Sequence, residues 1–165
     1  MTYSTVATFN NSSSSTSVVE SIITAVQQLS TDAQLGLLWV LYENMGGSIT
    51  PAAPGAARLQ FAEGLLARVQ AMSSELQLQF MRDLVEKTNT PDTRAYGVLS
   101  NNTKLAFWYQ LAVMMEAGTV IPVPDYYSLS GNALQLFNRI SRLDFGQQIT
   151  VMRQMVVSMG VDPLA

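Results

Sequence analysis

The chain has 165 residues, a net charge of −3, 48% hydrophobic residues and only 13% charged ones, about half the usual charged share. It contains no cysteine and no histidine, which excludes disulfides, thiolate zinc sites, cysteine nucleophiles, serine–histidine–aspartate triads and thioether-linked tetrapyrroles. The acidic balance argues against a nucleic-acid partner, no apolar run reaches the ~18 residues of a membrane span, and the N-terminus lacks the basic-then-apolar order of a signal peptide.

Residues 1–15 form a polar lead with serines at 12 to 15, expected to be flexible or to lie as an arm over a single helical domain, 16–165. Thr16 or Ser17 caps a first helix to Leu29, with Val18, Ile22, Val26 and Leu29 on one side. Ser30 and Thr31 open a second, LGLLWVLYENM, which stops at Gly46-Gly47. Pro51 and Pro54 place a loop at 48–55. A third helix is predicted over 56–72. A fourth starts at Ser73-Ser74-Glu75 and runs to Lys87, and a short fifth from Thr90-Pro91 ends near Leu99. Asn101 or Asn102 caps a sixth, which Gly118 ends. IPVPDYYS is extended because Pro122 and Pro124 block helix. Ser130 and Asp144 cap the last two, to Leu143 and Met159-Gly160. No strand-like alternation is present, so the fold class is all-α, with eight or so helices, about right for two four-helix bundles sharing elements.

Leu105 to Ala117, LAFWYQLAVMMEA, is apolar on several faces, and such a helix is buried on several faces. Leu105, Trp108, Tyr109, Ala112 and Met115 share one of them. Trp39 and Tyr42 share a face with Leu35 and Leu38 on an equally apolar helix. By spacing alone Trp39, Tyr42, Trp108, Tyr109, Tyr127, Met81 and Met115 read as ordinary core. Three features point instead to a long, flat, apolar ligand: the surplus apolar faces, tyrosine hydroxyls that need partners when buried, and nine methionines suited to an adaptable wall. Arg153 reads either as a solvated charge near a helix C-terminus or as a polar anchor on an interface. Glu43, Glu63, Glu86 and Glu116 show no paired spacing and read as solvated. There are no catalytic or metal residues to name.

The segments LGLLWVLYENMG, TPAAPGAARLQFAEGLL, NTKLAFWYQL, IPVP-x-x-Y and GQQITVMRQMVVSMG, in this order, resemble the N-terminal helical domain of the cyanobacterial orange carotenoid protein family, and more closely its stand-alone relatives, the helical carotenoid proteins. The resemblance implies two interleaved four-helix bundles around a non-covalent keto-carotenoid of canthaxanthin or echinenone type, with chloride as a further ligand. It implies a pigment wall of Leu35, Leu38, Trp39, Tyr42, Met81, Leu105, Trp108, Tyr109, Ala112, Met115, Val123, Tyr127 and Thr150. It matches Arg153 to an arginine that, in two-domain relatives, faces the C-terminal domain and the phycobilisome. The implied location is cytoplasmic, peripheral to thylakoids through phycobilisomes, with a separate C-terminal-domain-like carotenoid donor as a partner. Departures are Ala112 for an expected Gly, Gln110 for Arg, Arg82 for a small residue, and Asp125-Tyr126 for small residues. The given length leaves no room for a second domain, so no intramolecular photoswitching is expected.

Three functions follow for testing. The first is a photoprotective carotenoid binder that quenches singlet oxygen and carries pigment. The second is a phycobilisome quencher of excitation energy. The third is a pigment-free helical interaction module. No enzyme is expected.

Overall fold

A computed structural model of the chain describes residues 10–45 and 59–164. Among these residues it is entirely helical, without strands: α1 (Asn10–Gln27), α2 (Thr31–Met45), a 3₁₀ turn (Leu59–Phe61), α3 (Glu63–Ala71), α4 (Ser74–Glu86), α5 (Pro91–Gly97), α6 (Asn101–Ala117), α7 (Gly131–Ser141) and α8 (Phe145–Val157). The expected loop at 48–55 and residues 1–9 lie outside the described residues.

Local chemistry explains most boundaries. Ser73 accepts a hydrogen bond from the Leu76 N–H at the start of α4. Thr90 and Thr93 form a reciprocal box around Pro91 at the start of α5, and Asp144 and Gln147 do the same for α8. Lys87 and Gly118 end α4 and α6 in the left-handed conformation (φ 57° and 81°). Three boundaries differ from the sequence reading. α6 is capped by Ser100, whose hydroxyl accepts from the Thr103 N–H at 3.2 Å, not by Asn101 or Asn102. α1 starts at Asn10 rather than at Thr16 or Ser17; in a run of Asn, Ser and Thr every residue is a cap candidate, and no Gly or Pro interrupts the helix. Of the segment expected as one helix over 56–72, residues 56–58 lie outside the described residues, and the rest is a 3₁₀ turn and then α3, entered through Ala62, which offers no side-chain cap.

The helices pack as two interleaved groups. α7 and α8 pack on each other and on both α1 and α2, α3, α4 and α5 contact one another, and α6 packs on α8 and α2 on α4 to lock the groups together. Leu37, Leu41, Leu84, Phe107, Leu111 and Met152 are fully buried between them, each stabilising by about 1.5–3 kcal/mol through lost apolar surface. The chain after α8 turns back onto the middle of the molecule: the Gly160 N–H donates to the Leu84 carbonyl (2.9 Å) and the Val161 N–H to Thr93 (3.2 Å). Gly160 has φ +77°, and a Cβ there would press on Tyr96, so glycine is needed both for conformation and for space.

Candidate functional site

One face of each of three helices converges on a cavity of about 400 Å³. α2 supplies Leu35, Leu38, Trp39 and Tyr42, α4 supplies Leu78 and Met81, and α6 supplies Trp108, Ala112 and Met115. These are the i, i+3, i+4 and i+7 positions of single helix faces. The fourth wall is the extended strap 121–124, whose prolines keep it out of a helix. Buried Gln77 holds the strap's beginning: its Oε1 accepts from the Ile121 N–H at 2.7 Å, and its Nε2 donates to the Val69 carbonyl at 3.0 Å. Tyr127 holds the far end. Its hydroxyl lies on Gly36 of α2, where any Cβ would overlap it.

The polar atoms of Tyr42 and Trp108 are turned to the protein. The Tyr42 hydroxyl donates to the Leu105 carbonyl at 2.8 Å, and burial pushes its pKa far up, so it stays neutral. Trp108 Nε1 donates to the Tyr96 hydroxyl at 3.0 Å, and that hydroxyl donates to the Val156 carbonyl at 2.5 Å. Phe107 braces this pair edge-on against Tyr96 and Phe80. With their donors satisfied, the rings present apolar faces to the cavity.

Ten of the thirteen residues expected at the wall line the cavity; Leu105, Tyr109 and Thr150 do not. Leu105 contributes its carbonyl to Tyr42 instead. Tyr109 follows Trp108 by one residue, about 100° around the helix, and lies beside the Tyr42 ring, with centroids 6.5 Å apart. Thr150 is on α8, where its hydroxyl donates to the Gly146 carbonyl. Arg153, also on α8, is half-buried, and its Nε is buried without a hydrogen-bond partner among the described residues.

The described lining is suited to a flat apolar molecule. Its one carboxylate, Asp32, is gripped by Arg82, which holds the Asp32 pKa below its usual value. Among the described residues no group of carboxylates is placed to hold a metal ion, and no helix is long and apolar enough to cross a membrane.

A family model described as "Orange carotenoid protein, N-terminal" matches residues 11–162. The chain belongs to the orange carotenoid protein N-terminal family. An orange carotenoid-binding domain-containing protein of Nostoc sp. is 58% identical over 147 residues, covering 89% of this chain and 86% of that protein. The orange carotenoid-binding protein of Limnospira maxima is 48% identical over 88% of this chain, which spans only 46% of that longer relative. Two solved structures from Anabaena (Nostoc) share the fold. The Orange Carotenoid Protein binding canthaxanthin has 47% identity and TM-score 0.81, over 88% of this chain and 47% of that one. The Red Carotenoid Protein binding canthaxanthin has 39% identity and TM-score 0.75, over 86% and 97%.

Within this family fold, sequence reasoning missed Gly36, Asp32, Leu78 and Gln77 as site residues, and named Arg82 only as a departure from the family pattern. Leu78 precedes Met81 by three residues and was recoverable from periodicity. A glycine inside an otherwise strong helix signals a close approach, here that of Tyr127. Gln77 and the Asp32–Arg82 pair bridge distant segments and leave no local signature.

Proposed function

We propose that this domain binds a keto-carotenoid without a covalent bond and serves photoprotection, chiefly by quenching singlet oxygen, and that it also carries the pigment to or from other proteins. The observation that carries this reading is the cavity, walled by two tryptophans, aliphatic side chains and prolines, with the Tyr42 and Trp108 donors satisfied by the protein behind them. Those residues fit a long polyene, which offers apolar surface along its length and oxygen only at its end rings. The structural relatives described as binding canthaxanthin support the same class of ligand.

When bound, the pigment supplies a low-lying triplet state that accepts the energy of singlet oxygen. The chain's residues bind, orient and shield. Trp39 and Trp108 supply flat faces, Met81 and Met115 adapt to the polyene's contour, and the strap covers one side of the cavity. No proton or electron is moved by any side chain, so the role is non-enzymatic.

Produced in cells that make canthaxanthin, the protein is expected to purify coloured, with near-equimolar pigment on solvent extraction. Trp108→Ala and Tyr42→Ala should lower that yield or shift the visible spectrum. Colourless protein with a native circular dichroism spectrum would leave the pigment-free helical module as the better reading.

Arg153 favours a second reading, an excitation quencher docked on the phycobilisome. Its side chain is half-buried on α8, with no partner for Nε among the described residues, and the exposed part of the guanidinium is what would meet an acceptor on a partner. Loss of phycobilisome fluorescence on mixing with holoprotein, abolished by Arg153→Leu, is the expected result. Unchanged fluorescence removes the idea.

A further inference from the structure

The cavity is apolar along its walls but polar where α2, α4 and the strap meet. Asp32 and Gly36 lie four residues apart on α2 and so share a face. Each receives a side chain from elsewhere. Arg82 of α4 grips the Asp32 carboxylate through Nε to Oδ1 (2.8 Å) and Nη2 to Oδ2 (3.0 Å). Tyr127 of the strap seats its hydroxyl on Gly36. All four residues line the cavity.

Both incoming groups have hydrogen-bond donors to offer. The Asp32 contacts use two of the guanidinium's N–H groups, and a guanidinium carries five. The other nearby anion, Glu86, accepts from Thr31 at 3.0 Å. Among the described residues the Tyr127 hydroxyl makes no hydrogen bond of its own; burial and the Asp32 charge raise its pKa, which keeps it protonated. The bidentate grip of Asp32 also fixes the guanidinium plane, so less side-chain freedom is lost when a further acceptor arrives.

We propose that Arg82 and Tyr127 form a specificity subsite, donating hydrogen bonds to an oxygen on the pigment's terminal ring, so that the chain prefers a ring ketone to the unsubstituted hydrocarbon. This rests on the reading that the cavity holds a carotenoid. A carbonyl oxygen has two lone pairs and no proton, which suits a corner furnished with donors. An unsubstituted ring would strip water from these donors and return nothing.

The test is competition. Apoprotein is offered equal amounts of canthaxanthin and β-carotene, which share a carbon skeleton and differ in the ring ketones, and the bound pigments are extracted and their ratio measured. The ratio within one sample does not depend on how much protein folds. Wild type should favour canthaxanthin about tenfold, as expected for a hydrogen bond to a charged group at a half-exposed position. Arg82→Met should bring the ratio to within about twofold by lowering canthaxanthin uptake alone. Tyr127→Phe, which removes a single hydroxyl, should reduce it about threefold. A wild-type ratio near unity, or one unchanged in both variants, overturns the subsite while leaving the carotenoid cavity standing. Uptake of neither pigment by wild type overturns both.

Discussion

At Trp108 the indole nitrogen is committed to the protein and the ring face to the cavity. The Tyr96 hydroxyl makes this possible: it accepts from Trp108 Nε1 and donates to the Val156 carbonyl. Tyr96 is fully buried, so its replacement by phenylalanine leaves the Trp108 N–H in an apolar setting with no water to take over. We expect Tyr96→Phe to cost about 1–3 kcal/mol, read from the urea midpoint, and to shift Trp108 emission even without pigment. Stability and emission equal to wild type would mean that Tyr96 does not position the indole. Periodicity singled out Trp108 but not Tyr96, because the partner lies on α5 and on the far side of the ring. A spacing pattern marks which face is apolar; it does not show what stands behind that face.

Among the elements, the strap and the α2–α4 pair define the mouth of the cavity. The extended strap was legible from its prolines. Where it lands was not, since Tyr127 on Gly36 and Ile121 on Gln77 are contacts between segments far apart in sequence. Helix limits were legible wherever one residue type could act as cap or stop, as at Thr90, Asp144 and Gly118. They blurred at Ser100 to Asn102, where three neighbours compete, and in the serine run of α1. The Asp32–Arg82 ion pair joins α2 to α4 and depresses the Asp32 pKa, chiefly through the hydrogen bond from Arg82. A depressed carboxylate pKa contributes stability above the unfolded-state value of 3.8, and that contribution is lost as pH falls through the lower folded-state value. Asp32→Asn should therefore lower the urea midpoint at about pH 6, and the difference from wild type should shrink progressively as pH falls below 3.8. The effect is small, because both groups are exposed to solvent, and about 1 M salt should shrink it. A difference independent of pH would assign Asp32 a role other than ion pairing.

For the molecule as a whole, interleaving is the decisive property. α6 belongs with α3 to α5 in sequence yet packs on α8, and Lys104 of α6 donates to the Val157 carbonyl at the end of α8 (3.4 Å). The segment after α8 then returns to α4 and α5. Neither group of helices closes its own core, so unfolding should be a single transition in which tryptophan emission and far-ultraviolet circular dichroism coincide. Leu111→Ala, at a fully buried position of α6, should lower stability by about 2–5 kcal/mol and move both signals together. Two separated transitions would show that the groups fold independently. The all-helical class was legible from capping and periodicity, two bundles sharing elements from the number of helices, and their interleaving from the family resemblance. The pairing of α6 with α8 depends on which apolar face meets which, and a helix apolar on several faces does not specify that by itself.

In the proposed function a carotenoid lies between Trp39 and Trp108. The chain's only two tryptophans both line the cavity, so titrating apoprotein with canthaxanthin while recording tryptophan emission and visible absorption tests it most directly. Emission should fall saturably to a small residue at near-equimolar pigment, as the visible band shifts and gains induced circular dichroism. Undiminished emission, with the pigment's spectrum unchanged from that in detergent, would contradict it.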